Sequence, residues 1–368
     1  MSIMGAILVV ALLLLSIHPH AGRQKKQYFT NQGKIFGTYY NIRYEADKDL
    51  HESILHALLA FDASMSTFNP TSTISRLNQG VDTVLDTYFL TMYQTAKEVS
   101  ELTNGAFDIT VAPLVNAWGF GFKNKENITP EMIDSLRQLV DYRRLSLREA
   151  ADGQHLVNPL AGRGAIDASA IAKGYACDVI ADLLRSEGAE NLLVDIGGEV
   201  VLQGVNQEGK PWRVGITKPI DDISGQQNEI QEIIESTNMC MATSGNYRQF
   251  YYEGGMRRSH TIDPRTGYPA ESDLLSATVV STSCMRADAL ATACMVLGSE
   301  AGMALIEQLD STECYLIIAQ PGDSMAVRTS SGFPLSESRL SHFQALWRSV
   351  RIRLHFCTIT RTFALFHP

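Results

Sequence analysis

The chain has 368 residues, with 31 basic and 40 acidic side chains for a net charge of −9, and it is 45% hydrophobic and 19% charged. These are globular proportions and exclude a disordered, collagenous or coiled-coil chain. At ~150 residues per domain the length suits about two domains or one large one. An isoelectric point near 5.5 argues against nucleic acid as the main partner, which requires a concentrated basic face.

In chain order, Ile3 to Ile17 form an apolar run of 15 broken only by Gly5 and Ser16. That is short for a membrane span, which needs about 20 residues. It reads as the core of a secretory signal, with an N-terminal membrane anchor as the alternative. Residues 1–26 are therefore set apart, and export is expected, to the periplasm or the periplasmic face of the inner membrane, with no lipid-anchor Cys after the run. Gly37 to Tyr44 is β-rich and predicts a strand. A helix is expected near 50–63, with Ile54, Leu55, Leu58 and Leu59 on one face. A second is expected from Asp86 to Thr103, stopped by Asn104-Gly105. Thr129-Pro130-Glu131 opens a third, to about Val140.

A short strand ending at Asp167 and a long helix from Ala168 to Glu187 are expected next. Strands follow at Asn191–Ile196, Glu199–Gln203, Trp212–Ile216, Glu229–Ile234, Met239–Thr243 and Leu275–Ser281. Helices near 284–297 and 299–309 and a strand at Cys314–Ala319 complete the pattern. Strands interspersed with helices, without strict βαβ alternation, predict an α+β fold. No linker divides residues 27–335, so they are read as a single large domain. Residues 336–368 are a basic tail: from Ser338 onward there are five Arg and no acid, read as a variable segment rather than a lipid-binding arm. The six cysteines form no CxxC pair, so neither a zinc site nor a disulfide framework is indicated.

The sequence holds no P-loop, HExxH or GxSxG motif. Asp288 and Thr292, four apart, share a helix face and can offer hard oxygens to Mg²⁺. In Ile166-Asp-Ala-Ser-Ala-Ile-Ala-Lys-Gly174, Lys173 can neutralise phosphate charge near a strand-to-helix corner. His260, just before the Asp263-Pro-Arg-Thr-Gly267 turn, is a candidate general base. Each of these alone has an ordinary structural explanation: a helix-start carboxylate, a surface lysine, a packed histidine.

Taken with Ser66-Thr-Phe68, the run from Gly105-Ala-Phe-Asp to Trp118-Gly-Phe120, Val194-Asp-Ile-Gly-Gly198 and Ala242-Thr-Ser-Gly245, these motifs make the chain resemble the FAD:protein FMN transferase family, also called ApbE or flavin transferase. The likeness spans about Gly37 to Phe333. It implies a mixed sheet with packed helices, Mg²⁺ as cofactor and FAD as substrate. It further implies attachment of FMN through a phosphoester to Thr or Ser of acceptor flavoproteins, such as subunits of membrane redox pumps, with release of AMP.

On the matching positions, Asp288, Thr292 and the Ala170 backbone oxygen become metal ligands. Phe36, Phe68, Ala106, Phe107, Asp108, Asp167, Lys173 and Ile262 become FAD contacts, and Phe68 replaces the family's usual Tyr. His260 becomes the base for the acceptor hydroxyl, with Lys173 offsetting developing charge. Ala291 stands where some members carry Asp or Ser, removing one side-chain oxygen from the metal. Two alternatives stay open: an FAD pyrophosphatase yielding FMN and AMP, and a flavin-binding carrier that does not turn over.

Overall fold

The computed structural model describes residues 26–335 except 122–127, 161, 221–228, 247–249, 254–255 and 323. The apolar N-terminal run and the basic tail lie outside the described residues. Strands β1 (Gln27–Ile35) and β2 (Thr38–Ala46) form a hairpin. Helices α1 (His51–Met65), α2 (Thr73–Asn78), α3 (Thr87–Leu102), α4 (Ala112–Ala117) and α5 (Pro130–Arg137) follow. Next come the small hairpin β3 (Ser146–Ala150) and β4 (Gly153–Val157), then α6 (Ala172–Ser186). The chain continues through β5 (Leu192–Ile196), β6 (Glu199–Gln203), β7 (Trp212–Thr217), β8 (Ile230–Ser236) and β9 (Asn238–Gly245). It closes with β10 (Phe250–Glu253), β11 (Met256–Ser259), β12 (Leu274–Ser281), α7 (Cys284–Ile306), β13 (Glu313–Gln320) and β14 (Ser324–Thr329).

Eight strands make the main sheet in the order β1-β2-β5-β6-β9-β12-β13-β14. The α+β expectation holds. Where a mixed sheet was expected, every pairing among these eight is antiparallel. Hairpins join β1 to β2, β5 to β6 and β13 to β14, and the longer excursions also re-enter the sheet antiparallel. One face buries Tyr40, Ile42 and Tyr44 of β2 with Phe89, Ile180 and Leu290 of the helical layer. The other packs Leu193, Val200 and Leu202 against Trp212, Ile216 and Ile234 of the β7–β8 hairpin. A separate cluster of Leu114, Trp118, Ile133 and Ile262 binds α4 and α5 to the segment after β11.

Local chemistry sets the element ends. Asp86 caps α3 by accepting the Phe89 N–H, and Asn104 and Gly105 leave it with φ of 50° and 78°, the left-handed exit that Asn and Gly tolerate. Thr129 caps α5, which ends at Arg137, short of Val140. The expected break between two C-terminal helices is Gly298, with φ 82° inside α7, where Asp273 accepts the Ser299 N–H at 2.8 Å. By length and hydropathy α7 could cross a membrane, but 61% of its apolar window is buried, against α6, α3 and the sheet.

Two expectations near the site are corrected. No strand precedes Asp167; the segment is irregular, and the Asp167 N–H donates to the Ile109 carbonyl at 2.7 Å. Helix α6 starts at Ala172 rather than Ala168, with Ile171 non-helical at φ −148° and ψ −23°. The reason is tertiary. The Gly174 N–H, which a longer helix would direct to the Ala170 carbonyl, donates instead to Asp288 Oδ2 at 3.0 Å.

Helices α6 and α7 meet closely at that point. A Cβ on Gly174 would stand 2.3 Å from the Cys284 carbonyl oxygen and 2.8 Å from Asp288 Cβ. One turn on, Asp178 accepts the Cys284 and Met285 N–H groups at 2.9 Å each, so a residue of α6 caps α7. Gly174→Ala is therefore expected to cost about 2 kcal/mol or more through overpacking against backbone that cannot yield, read from urea denaturation midpoints.

Burial pushes the Asp178 carboxyl up to about 6, against the two N–H bonds that favour its charge. The folded state thus holds a proton that the unfolded chain has released, and stability falls as pH rises from about 4 to about 6. In Asp178→Asn this part of the pH dependence should disappear, which thermal unfolding between pH 4 and 7 would show.

Candidate active site

The positioning begins with the β5–β6 hairpin. Its two turn residues, Gly197 and Gly198, have φ of 68° and 104°, the left-handed values that a tight hairpin demands. The Gly198 N–H is held by Asp195 Oδ1 at 3.0 Å. This turn sets Glu199 at the start of β6, where only 3% of it is exposed. A Cβ on Gly197 would lie 3.3 Å from Lys173 Cδ, so the bare glycine gives the lysine stem its path from α6.

Lys173 Nζ lies 2.9 Å from Glu199 Oε1 and 3.9 Å from Asp288 Oδ1. Burial works against the ammonium, but the Asp288 and Glu199 carboxylates outweigh it and hold the lysine above its ordinary range. Burial raises the Glu199 carboxyl, Lys173 opposes the rise and Asp288 adds to it. One ammonium thus faces two buried carboxylates. Asp288 is 2% exposed, and a helical turn further on the Thr292 hydroxyl shares a hydrogen bond of 3.1 Å with Ser244 at the end of β9.

Three of the expected residues thus converge at the α6–α7 junction: Lys173, Asp288 and Thr292. Ala170 sits in the turn just before α6, and among the described residues no backbone N–H reaches its carbonyl. One carboxylate, one hydroxyl and one open carbonyl are hard oxygens of the kind Mg²⁺ takes when substrate phosphates and water complete its shell. Among the described residues no cluster of three His, Cys, Asp or Glu could hold a metal alone. Ala291 is fully buried in the main core and brings no side-chain oxygen.

The segment leading into α6 lines a cleft of about 300 Å³, whose walls include Phe68, Ser75, Asn116, Ile166 and Asp167. Phe68, on the cleft wall, is 83% exposed. Asp167 Oδ1 accepts the Ser169 N–H at 2.8 Å. Phe36 turns the β1–β2 hairpin at φ 52°, a left-handed value that costs a non-glycine residue roughly 1–2 kcal/mol. Its ring packs 5.5 Å from Phe61, which in turn meets Tyr175 of α6 at 5.3 Å.

Ala106 and Phe107 are buried, at 1% and 3% exposed, so little of either residue reaches the surface. Asp108 is committed internally: Oδ1 accepts the Thr110 N–H and hydroxyl at 2.8 and 2.7 Å, and Oδ2 the Tyr142 N–H at 3.0 Å. This carboxylate shapes the loop. Ile262 lies in the α4–α5 cluster, 5% exposed. His260 sits beside it, its ring 6.4 Å from that of Phe120. The turn after His260 closes on itself, with Asp263 gripping Arg265 through contacts of 2.9 and 2.8 Å. The Trp118 indole donates to the Gly267 carbonyl at 2.9 Å.

Sequence reasoning missed Glu199 and Gly174. A charged residue opening an otherwise apolar strand just after Gly-Gly was the available signal for Glu199.

The helix-backed antiparallel sheet has clear counterparts among known proteins. The chain belongs to the ApbE family, whose sequence model matches residues 36–316, and the resemblance read from the motifs is borne out. The FAD:protein FMN transferase of Vibrio cholerae is 39% identical over 312 residues, covering 82% of this chain and 90% of the relative. That of Haemophilus influenzae is 34% identical over 344 residues, covering 90% and 96%. Among solved structures, the flavin transferase ApbE from Vibrio cholerae superposes with a TM-score of 0.73 at 37% identity, covering 84% of this chain and 98% of that one. The apo form of the Pseudomonas stutzeri flavinyl transferase ApbE gives a TM-score of 0.73 at 31% identity, covering 84% and 96%.

Proposed function

We propose that the protein is an exported, Mg²⁺-dependent FAD:protein FMN transferase. The observation that carries the reading is the α6–α7 junction, where Lys173 stands 3.9 Å from Asp288 and Thr292 lies one helical turn on, with the open Ala170 carbonyl in the turn just before α6. In the proposed reaction the acceptor's Thr or Ser oxygen attacks the phosphorus nearer the riboflavin. The new P–O bond forms, the pyrophosphate bridge breaks, and AMP leaves with the bridging oxygen.

Asp288, Thr292 and Ala170 would hold Mg²⁺, which would neutralise phosphate oxygens and ease attack by an incoming oxygen. Lys173 offsets charge on the pyrophosphate, and His260 takes the proton of the acceptor hydroxyl. Phe68 stacks on the flavin nucleotide with the area of the family's Tyr but without its hydroxyl. Phe36, Asp167, Ile262 and the backbone of Ala106, Phe107 and Asp108 complete the FAD contacts. The acceptors are flavoproteins, and membrane redox-pump subunits fit an exported enzyme. Export rests on the apolar run Ile3–Ile17 and its length; cell fractionation with N-terminal sequencing tests it, and a cytoplasmic, uncleaved protein would remove this part.

The direct assay combines the purified protein, FAD, Mg²⁺ and an acceptor domain. The expected product is an acceptor band fluorescent under ultraviolet light on a denaturing gel, lost with EDTA, and AMP in equal amount. AMP without the band, across several acceptors, would make the enzyme a pyrophosphatase; neither product would make it a carrier.

Asp288→Ala is expected to lower Mg²⁺-dependent transfer by on the order of 10³-fold or more, the several kcal/mol that such an ion supplies. Unchanged turnover would sink the metal assignment. His260→Ala should slow transfer roughly 10²–10⁴-fold with little change in FAD affinity, measured by flavin fluorescence quenching; a matching loss of affinity would make His260 a binding residue.

A further inference from the structure

We infer that Glu199 is a positioning residue: it is the counter-ion that holds Lys173 and so leaves the Asp288 carboxylate open to a cation. The inference rests on the metal-ligand reading of Asp288 proposed above. Lys173 has two carboxylates within reach, and the geometry shows which one takes it, at 2.9 Å from Glu199 Oε1 against 3.9 Å from Asp288 Oδ1. Asp288 Oδ2 is occupied by the Gly174 N–H, so Oδ1 is the oxygen that a direct Lys173 contact would consume.

Glu199 is placed with some care for a residue that stability alone does not require. It is 3% exposed. Its Oε2 is buried with no hydrogen-bond partner among the described residues, and its backbone carbonyl takes the Cys177 Sγ of α6 at 3.1 Å. A buried carboxylate with an idle oxygen is costly, and a buried ion pair is often no better for stability than apolar packing. What the pair does accomplish is directional. A lysine on a flexible four-carbon stem would otherwise turn to the nearest remaining anion, and that anion is Asp288. With Glu199 taking the close contact, Asp288 Oδ1 stays beyond hydrogen-bond distance of the lysine, in a buried site where a cation would be drawn to it.

The test measures Mn²⁺ binding to the full-length protein by electron paramagnetic resonance, with calorimetry for Mg²⁺, in four proteins: wild type, Glu199→Gln, Lys173→Met and the double variant. Glu199→Gln should weaken cation binding roughly tenfold, within the range of couplings seen between contacting charges. In the Lys173→Met background the same substitution should cost little, because no lysine remains to occupy Asp288. An undiminished loss in that background would make Glu199 a direct ligand, and unchanged binding in Glu199→Gln would give it no part in the site; either result overturns the inference. Should Glu199→Gln fail to fold, Lys173→Met with Glu199→Met removes both charges together. Retained cation binding there supports the counter-ion role, and lost binding refutes it. Asp288→Asn is the control for the parent reading: if it leaves cation binding intact, Asp288 is not a ligand, and that failure is separate from any behaviour of Glu199.

Discussion

The approach of α6 to the first turn of α7 is the constraint on which the rest of the site depends. At Gly174 there is no side chain, and the Cys284 carbonyl and Asp288 Cβ occupy the space one would need. That closeness lets the Gly174 N–H reach Asp288, shortens α6 by four residues at its start and leaves the Ala170 carbonyl without a backbone donor. Asp178 closes the same joint a turn later by capping α7. A close helix–helix contact, the start of α6 and the open Ala170 carbonyl thus follow from one missing methyl group.

The sheet supplies what the helices lack. Its β5–β6 turn delivers Glu199 beneath Lys173, and β9 ends with Ser244 against Thr292. Because one face of the sheet is sealed by the helices and the other by the β7–β8 hairpin, charged groups placed at these strand ends sit in low dielectric. There an ammonium and two carboxylates act on one another far more strongly than at the surface. Such a cluster is a poor investment in stability. Its retention, like the left-handed backbone at Phe36, fits the general pattern in which local cost is tolerated where function is concentrated.

Much of this was legible in the residues. Apolar spacing found α1, α3 and the two halves of α7, with Gly298 as the break, because burial of one helix face imposes a 3.6-residue period. The strands from β5 to β9, with β12 and β13, were visible as β-rich runs between turns. Strands β1, β3, β4, β10, β11 and β14 were not. They lie at the edges of the main sheet or in two-stranded hairpins apart from it, where strand patterning is weak. The short helices α2 and α4 hold six residues each, too few to show a period. The corner before α6 was misread as strand into helix because Ile166-Asp-Ala has the composition of a strand end, and nothing local reveals that Asp167 bonds to Ile109.

By itself, then, the sequence determined the α+β class, the family and the candidate set of Asp288, Thr292, Lys173 and His260, since residue type and order survive in motifs that read without coordinates. Only the tertiary structure decided how those groups relate. It showed that Asp108 spends its carboxylate on its own loop, that Lys173 leans on Glu199 rather than Asp288, and that Gly174 is bare because a neighbouring backbone fills the space. Apart from the bonds of Asp108 to Thr110, these are facts about distances between residues tens to more than a hundred positions apart. No local pattern encodes them, because a hydrogen bond or a close approach is settled by where the folded chain brings the two groups.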